Sequence, residues 1–187
     1  MTAVPVAPAR LPEPVPQPDL LRATLRRQAV GVVVVSTFAD DRPVGLTVAS
    51  FTSVSLEPAL VSFCIAESSP LIDTIEASDT FVVNLLASEQ AALAARFGSG
   101  AGEPFAGVPW TSSPAGPRVD GALAWLSCTT STQIPVGDHL LVIGAVTGLR
   151  PGRPGRPLVH SDGRFATTAP LGVPQPGPAG RPALRRV

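Results

Sequence analysis

Apolar positions along this chain cluster in short dense runs, and few of them recur at helical spacing. Val30 to Thr37 is almost unbroken aliphatic sequence, the mark of a strand covered on both faces. Ala39-Asp40-Asp41-Arg42-Pro43 then reads as a turn. Val44 to Val54 continues as one or two strands and Leu60 to Ala66 as another. Phe81 to Leu86, Leu123 to Ser131 and His139 to Leu149 repeat the pattern, with Pro157 to Val159 and Arg164 to Thr167 as shorter pieces. Three stretches have helical spacing. The first runs from a capping Asp19 to about Gln28, with Leu21 and Leu25 on one face. The second is capped by Ser68 or Ser69, with Pro70 in its first position and Leu71, Ile72 and Ile75 facing inward. The third is capped by Ser88, runs through Phe97 and ends at Gly98, before a Gly/Pro-rich loop to Gly121. Turns join most strands directly, which predicts a mostly antiparallel barrel and not a parallel βαβ sheet.

Composition sets the limits of this core. Residues 1–18 alternate Pro with small residues and residues 170–187 mix Pro, Gly and Arg, so both read as extended tails around a folded part over residues 19–169. The chain has 187 residues, enough for one domain, and a net charge of zero, which gives no reason to expect a nucleic-acid or membrane-surface partner. All its cations are Arg, which excludes lysine chemistry. Cys64 and Cys128 lie in apolar runs and read as buried free thiols in a reducing cytoplasm. No apolar run is long enough to span a bilayer, and two histidines do not make a metal site. Gly98-Ser-Gly-Ala-Gly102 follows a helix, not a strand, and so is not a dinucleotide fingerprint.

One strand-like stretch is unusual. Hydroxyls at Thr47, Ser50, Thr52, Ser53 and Ser55 interrupt the run from Val44 to Pro58. Each needs a partner once buried, so so many in one run suggest ligand contact. The segment Gly45-Leu-Thr-Val-Ala-Ser-Phe-Thr-Ser-Val-Ser-Leu-Glu-Pro58 resembles the signature of the flavin reductase family. Further pieces follow in the same order: Phe81-Val-Val-Asn84, Gln90 with Ala95-Arg96-Phe97, and Phe105-Ala-Gly-Val-Pro-Trp110. Gly121-Ala-Leu-Ala124, Gly137-Asp138-His139, Ile143-Gly144 and Gly163-Arg164-Phe165 complete the series.

The resemblance implies an FMN-binding split β-barrel that forms a homodimer, an NAD(P)H:flavin oxidoreductase that hands reduced flavin to a separate monooxygenase. It implies FMN, with FAD as the alternative flavin, and NADH or NADPH as hydride donor. By position, Pro43, Val44, Gly45, Leu46 and Thr47, with Ala49, Ser50 and Ser53, would hold the flavin ring edge and ribityl chain. Cys64, Ile65 and Ala66 would pass the ring, and the helix start at Ser68, Pro70 and Leu71 would face the phosphate. Arg96 and Phe97 match a flavin-contacting pair, with Arg96 standing in for a cation that many relatives carry where this chain has Pro70-Leu71. His139 would serve the nicotinamide as the catalytic residue, and His160, Ser161, Asp162 and Gly163 its nucleotide. Two other readings are a same-fold flavoenzyme that keeps its flavin for another substrate, and a non-catalytic flavin-binding module.

Overall fold

The computed structural model describes residues 17–100 and 102–171. Apart from residues 17–18 and 170–171, the two expected tails lie outside the described residues. Helix α1 (Pro18–Leu25) leads into β1 (Val30–Gly31), β2 (Val33–Ala39) and β3 (Arg42–Val48). β4 (Thr52–Leu56), β5 (Ala59–Ala66), α2 (Ile72–Ala77) and β6 (Thr80–Leu85) follow. A 3-10 turn over Ser88–Gln90 opens α3 (Ala91–Gly98). Then come the short β7 (Trp110–Thr111) and β8 (Arg118–Val119), and the long β9 (Ala124–Val136) and β10 (His139–Pro151). β11 (Leu158–Ser161) and β12 (Arg164–Thr167) close the described chain.

Seven strands form one antiparallel sheet in the order β3-β2-β6-β9-β10-β5-β4, with β1-β11-β12 and β7-β8 as smaller sheets. The large sheet curls on itself. Val33 and Val35 of β2, Val48 of β3, Phe63 and Ile65 of β5, and Val142 of β10 meet in one core. The positions beside Val33 point the other way. Val32 and Val34 pack outside the barrel with Ala94 and Phe97 of α3, Phe105 and Val119. This two-sided burial explains the unbroken aliphatic run.

A polar knot fastens the outer layer. Asn84 is fully buried. Its amide nitrogen donates to Val34 O and Ser36 Oγ, each at 2.9 Å. Its oxygen accepts the Val119 N–H at 2.7 Å. Ser36 donates to Pro117 O at 2.6 Å, and Gly116 lies so close that a Cβ would stand 2.8 Å from Ser36 O. The loop after α3 is thereby tied to the sheet.

Several element boundaries differ from the sequence reading. α1 is capped at Gln17 with Pro18 in its first turn, where a fixed φ helps and a missing N–H costs nothing. Asp19 lies inside that turn and pairs with Arg22 at 3.1 Å. Leu21 and Leu25 share a face, but α1 buries no residue. α2 begins at Ile72, after Pro70 and not at it; Ser69 Oγ instead accepts the Leu71 N–H in a local turn. Ser88 opens the 3-10 turn and does not cap the third helix; Gln90 stands at the N-cap of α3, and its side chain reaches back to the Ala87 N–H at 3.0 Å. The turn after β2 is only two residues, because Asp40 and Asp41 take φ of 48° and 63°. β9 runs past Ser131 to Val136, and Gln133 on this polar extension donates to Glu76 O at the end of α2. The loop from Gly98 to Gly121 contains the β7-β8 ribbon.

Candidate functional site

Strand alternation decides which side chains can form a site. Val61, Phe63 and Ile65 fill the barrel, so Cys64 and Ala66 point to its outer face. On β3, Pro43, Gly45 and Thr47 face outward in the same way, toward α3. Thr47 Oγ1 donates to Ala94 O at 2.7 Å, and a Cβ on Gly45 would stand 3.3 Å from the Phe97 ring. Between these outer faces, α3 and the loop after it lies a cavity of about 710 Å³.

The loop is the far wall. Arg96 Nη2 donates to Glu103 O at 3.0 Å and Ala106 O at 2.7 Å, folding the loop back over α3. Phe97 meets Phe105 edge to face with ring centroids 4.8 Å apart, and Phe105 leads on to Trp110 at 6.1 Å. Two glycines lie in this wall: Gly98 stands beside Thr47, and Gly100, beside Pro70, takes a φ of 65°. The result is a slot with flat apolar walls and backbone polar groups, of the kind that takes a planar heterocycle.

His139 stands at the border of this slot. It opens β10 and pairs in register with Ala66, a cavity residue, with both on the outer face. Its Nδ1 lies 2.7 Å from the Asp138 carboxylate, and that hydrogen bond holds the carboxyl below its ordinary value. An Nδ1 proton shared with a carboxylate leaves Nε2 as the outward ring nitrogen.

The structure brings together Pro43, Val44, Gly45, Leu46 and Thr47, then Cys64, Ile65 and Ala66, Pro70 and Leu71, and Arg96 and Phe97. Ala49 and Ser50 lie on the exposed crossing between β3 and β4, outside the cavity lining. Ser50 Oγ accepts the Cys64 N–H at 2.9 Å and donates to Cys64 O at 3.2 Å, tying that crossing to β5. Ser53 is exposed on β4 opposite Val61, and Ser68 is exposed where Ser69 takes the cavity position. The expected phosphate-facing helix start is replaced by a turn, and α2 has six residues. Cys64 is partly exposed in the cavity, so only Cys128 is the buried thiol that the sequence suggested for both.

His160, Ser161, Asp162 and Gly163 are elsewhere. Asp162 and Gly163 form the tight turn between β11 and β12, with φ of 51° and 75°. His160 pairs with Val30 and borders a shallow depression beside Leu21 and Leu25 of α1. Sequence reasoning missed Arg42, Glu103 and Trp110 as cavity residues. The aromatic spacing of Phe105 and Trp110 was the available signal for the loop; nothing marked Arg42 beyond its place next to Pro43.

Known proteins match this arrangement. The family model described as the flavin reductase like domain matches residues 25–169. The chain is 40% identical over 156 residues to the reductase subunit HsaB of a flavin-dependent monooxygenase from Mycobacterium tuberculosis, covering 82% of this chain and 83% of that one. It is 41% identical over 157 residues to an NADH:FMN oxidoreductase from Rhodococcus qingshengii, covering 81% and 82%. The solved NADH:FAD oxidoreductase SgcE6 of Streptomyces globisporus, in complex with NAD and FAD fragments, superposes with a TM-score of 0.78 at 30% identity, covering 83% and 94%.

Proposed function

This chain belongs to the flavin reductase like domain family, and from that premise we propose that it is the NADH:flavin oxidoreductase of a two-component monooxygenase. The flavin, when bound, accepts hydride from the nicotinamide and carries it to the oxygenase partner. The observation that carries this reading is the slot of about 710 Å³ with His139 on its border. The protein's part is positional. Gly45, Thr47 and Phe97 shape a flat seat for the ring system, Pro43 borders the path of its ribityl tail, the strand end at Ala66 sets the level at which a second ring stacks, and His139 Nε2 faces the nicotinamide amide.

FMN is the preferred flavin. The turn before α2 supplies Glu67, Ser68, Ser69 and Pro70 and no cation, a poor cradle for a diphosphate. Flavin as a shuttled substrate requires a dissociation constant of roughly micromolar, about 8 kcal/mol. With association near 10⁶ M⁻¹s⁻¹ this allows release on the order of once per second. The protein acts as a homodimer in the cytoplasm. Exposed Leu20, Leu21 and Leu25 on α1 and Val54 and Leu56 on β4 support a second copy. His160 to Gly163, away from their own chain's slot, then serve the nicotinamide nucleotide of the neighbour. The free thiols fit a reducing compartment, and no described helix is long and apolar enough to cross a membrane.

Loss of absorbance at the NADH band, with FMN, FAD or riboflavin added in turn, tests the reading. FMN is expected to give the fastest turnover. No oxidation with any flavin overturns the reductase; turnover independent of added flavin, with flavin co-purifying, favours an enzyme that retains it.

A further inference from the structure

Two guanidinium groups line the slot, and their surroundings differ. Arg96, at the end of α3, directs Nη2 at two loop carbonyls, 3.0 and 2.7 Å away. Moving it to a ligand would release the loop wall. Arg42, the first residue of β3, lines the same slot and makes no side-chain hydrogen bond or ion pair among the described residues, although Asp40 and Asp41 precede it. Its backbone is fixed by the two-residue turn and by the pairing of Arg42 with Ala39 and Pro43 with Phe38. Phe38 in turn meets Trp110, another cavity residue, at 6.0 Å. The backbone of Arg42 therefore stands at the Trp110 end of the slot, where its exposed side chain borders the space, while Thr47, Cys64 and Ala66 lie toward the other end. Five residues of strand separate Arg42 from Thr47, about 16 Å at the usual rise.

We infer that Arg42 is the cation that receives the flavin's phosphate, and that Arg96 is a positioning residue that holds the loop wall in place. The inference rests on the flavin reductase reading given above. A ring seated beside Ala66, where His139 can meet its nicotinamide partner, leaves the phosphorylated tail to run along β3 toward Arg42. An Arg fork with no competing protein acceptor suits a phosphate. Asp40 and Asp41 nearby moderate the attraction, as a cargo site requires. Arg42 also takes over the role vacated by the uncharged turn at Ser69-Pro70.

The test compares FMN with riboflavin, which lacks the phosphate, as substrates for the full-length wild type, Arg42→Gln, Arg42→Lys and Arg96→Gln. For Arg42→Gln the KM for FMN is expected to rise about tenfold relative to that for riboflavin, and Arg42→Lys to restore part of the ratio. For Arg96→Gln both KM values are expected to rise together, because a loosened wall affects the ring seat and not the charge. An unchanged FMN-to-riboflavin ratio in Arg42→Gln overturns the inference, as does a ratio lost only in Arg96→Gln. So does an Arg42→Gln effect confined to NADPH against NADH, which would assign Arg42 to a nicotinamide phosphate. If the wild type reduces neither flavin, it is the reductase reading that fails.

Discussion

Asn84 Oδ1 accepts the backbone N–H of Val119 at 2.7 Å, joining a fully buried strand residue to the loop that walls the slot. Two further bonds of this amide reach Val34 and Ser36 on the neighbouring strand β2, so its loss leaves donors and acceptors without partners in a dry place. Asn84→Ala is expected to lower stability by about 3 kcal/mol. Urea unfolding checks this, with an unchanged slope required for a clean comparison. A loss under about 0.5 kcal/mol would mean that the knot contributes no more than a surface contact.

Gly45→Ala tests the fit between β3 and α3. The added Cβ would stand 2.8 Å from Val35 O and 3.3 Å from the Phe97 ring. Backbone on one side and a packed ring on the other leave it no room, so β3 or α3 must move, at about 1–3 kcal/mol. Flavin affinity is expected to fall about tenfold, read by fluorescence quenching of FMN. Unaltered affinity in a folded variant would place the ring away from Gly45.

The two cysteines should separate cleanly by alkylation. Burial pushes the Cys128 thiol up to about 12, whereas Cys64 lines the slot. At pH 8 an alkylating reagent is expected to modify Cys64 and leave Cys128 thiol intact, because only the thiolate reacts. Saturating FMN should slow the reaction at Cys64. Mass spectrometry of the labelled peptides checks both, and equal rates with and without FMN would put the flavin elsewhere.

Asp138 offers a pH signature. The bond from His139 holds its carboxyl below the ordinary value. The unfolded chain takes up this proton near pH 3.9 and the folded chain at lower pH. The stability from this contact is therefore complete above the former pH and disappears as pH falls through the latter. The pair lies at the surface, so that share is small. In His139→Ala, the Asp138 carbon resonance should titrate back toward about 3.9. No change would show that the pair does not form in solution.

The same His139→Ala variant separates binding from alignment. Its KM for NADH is expected to rise more than its dissociation constant for FMN, because His139 borders the slot beside Ala66 and does not line it. Steady-state kinetics and calorimetry together decide it. Unchanged nicotinamide kinetics would remove His139 from the site.

Most strands were legible because the covered strand β2 and the half-covered β5 leave direct traces in hydrophobic pattern. Less visible was the use made of polar groups. The hydroxyls of Thr47 and Ser50 suggested ligand contact, yet Thr47 bonds Ala94 and Ser50 bonds Cys64. Thr47 thereby holds α3 as a wall of the slot and Ser50 ties the crossing after β3 to β5, tertiary facts that no local spacing encodes. Strand β9 was cut short at Ser131 because Thr132 and Gln133 look like loop; they are polar since they sit on an exposed hairpin and meet the end of α2. Arg42 was invisible for a similar reason. A lone cation in a turn gains meaning only when Trp110, far along the chain, closes the same space.

The slot lies against β3, a border strand of the large sheet, and outside the packed interior of the barrel. Its guest can come and go without any rearrangement of Phe63, Phe81 or Val142. A delivery protein built this way keeps its rigid chassis through every round of loading, so the speed of exchange can be tuned at the rim by evolution or design while the fold's resilience stays where it was.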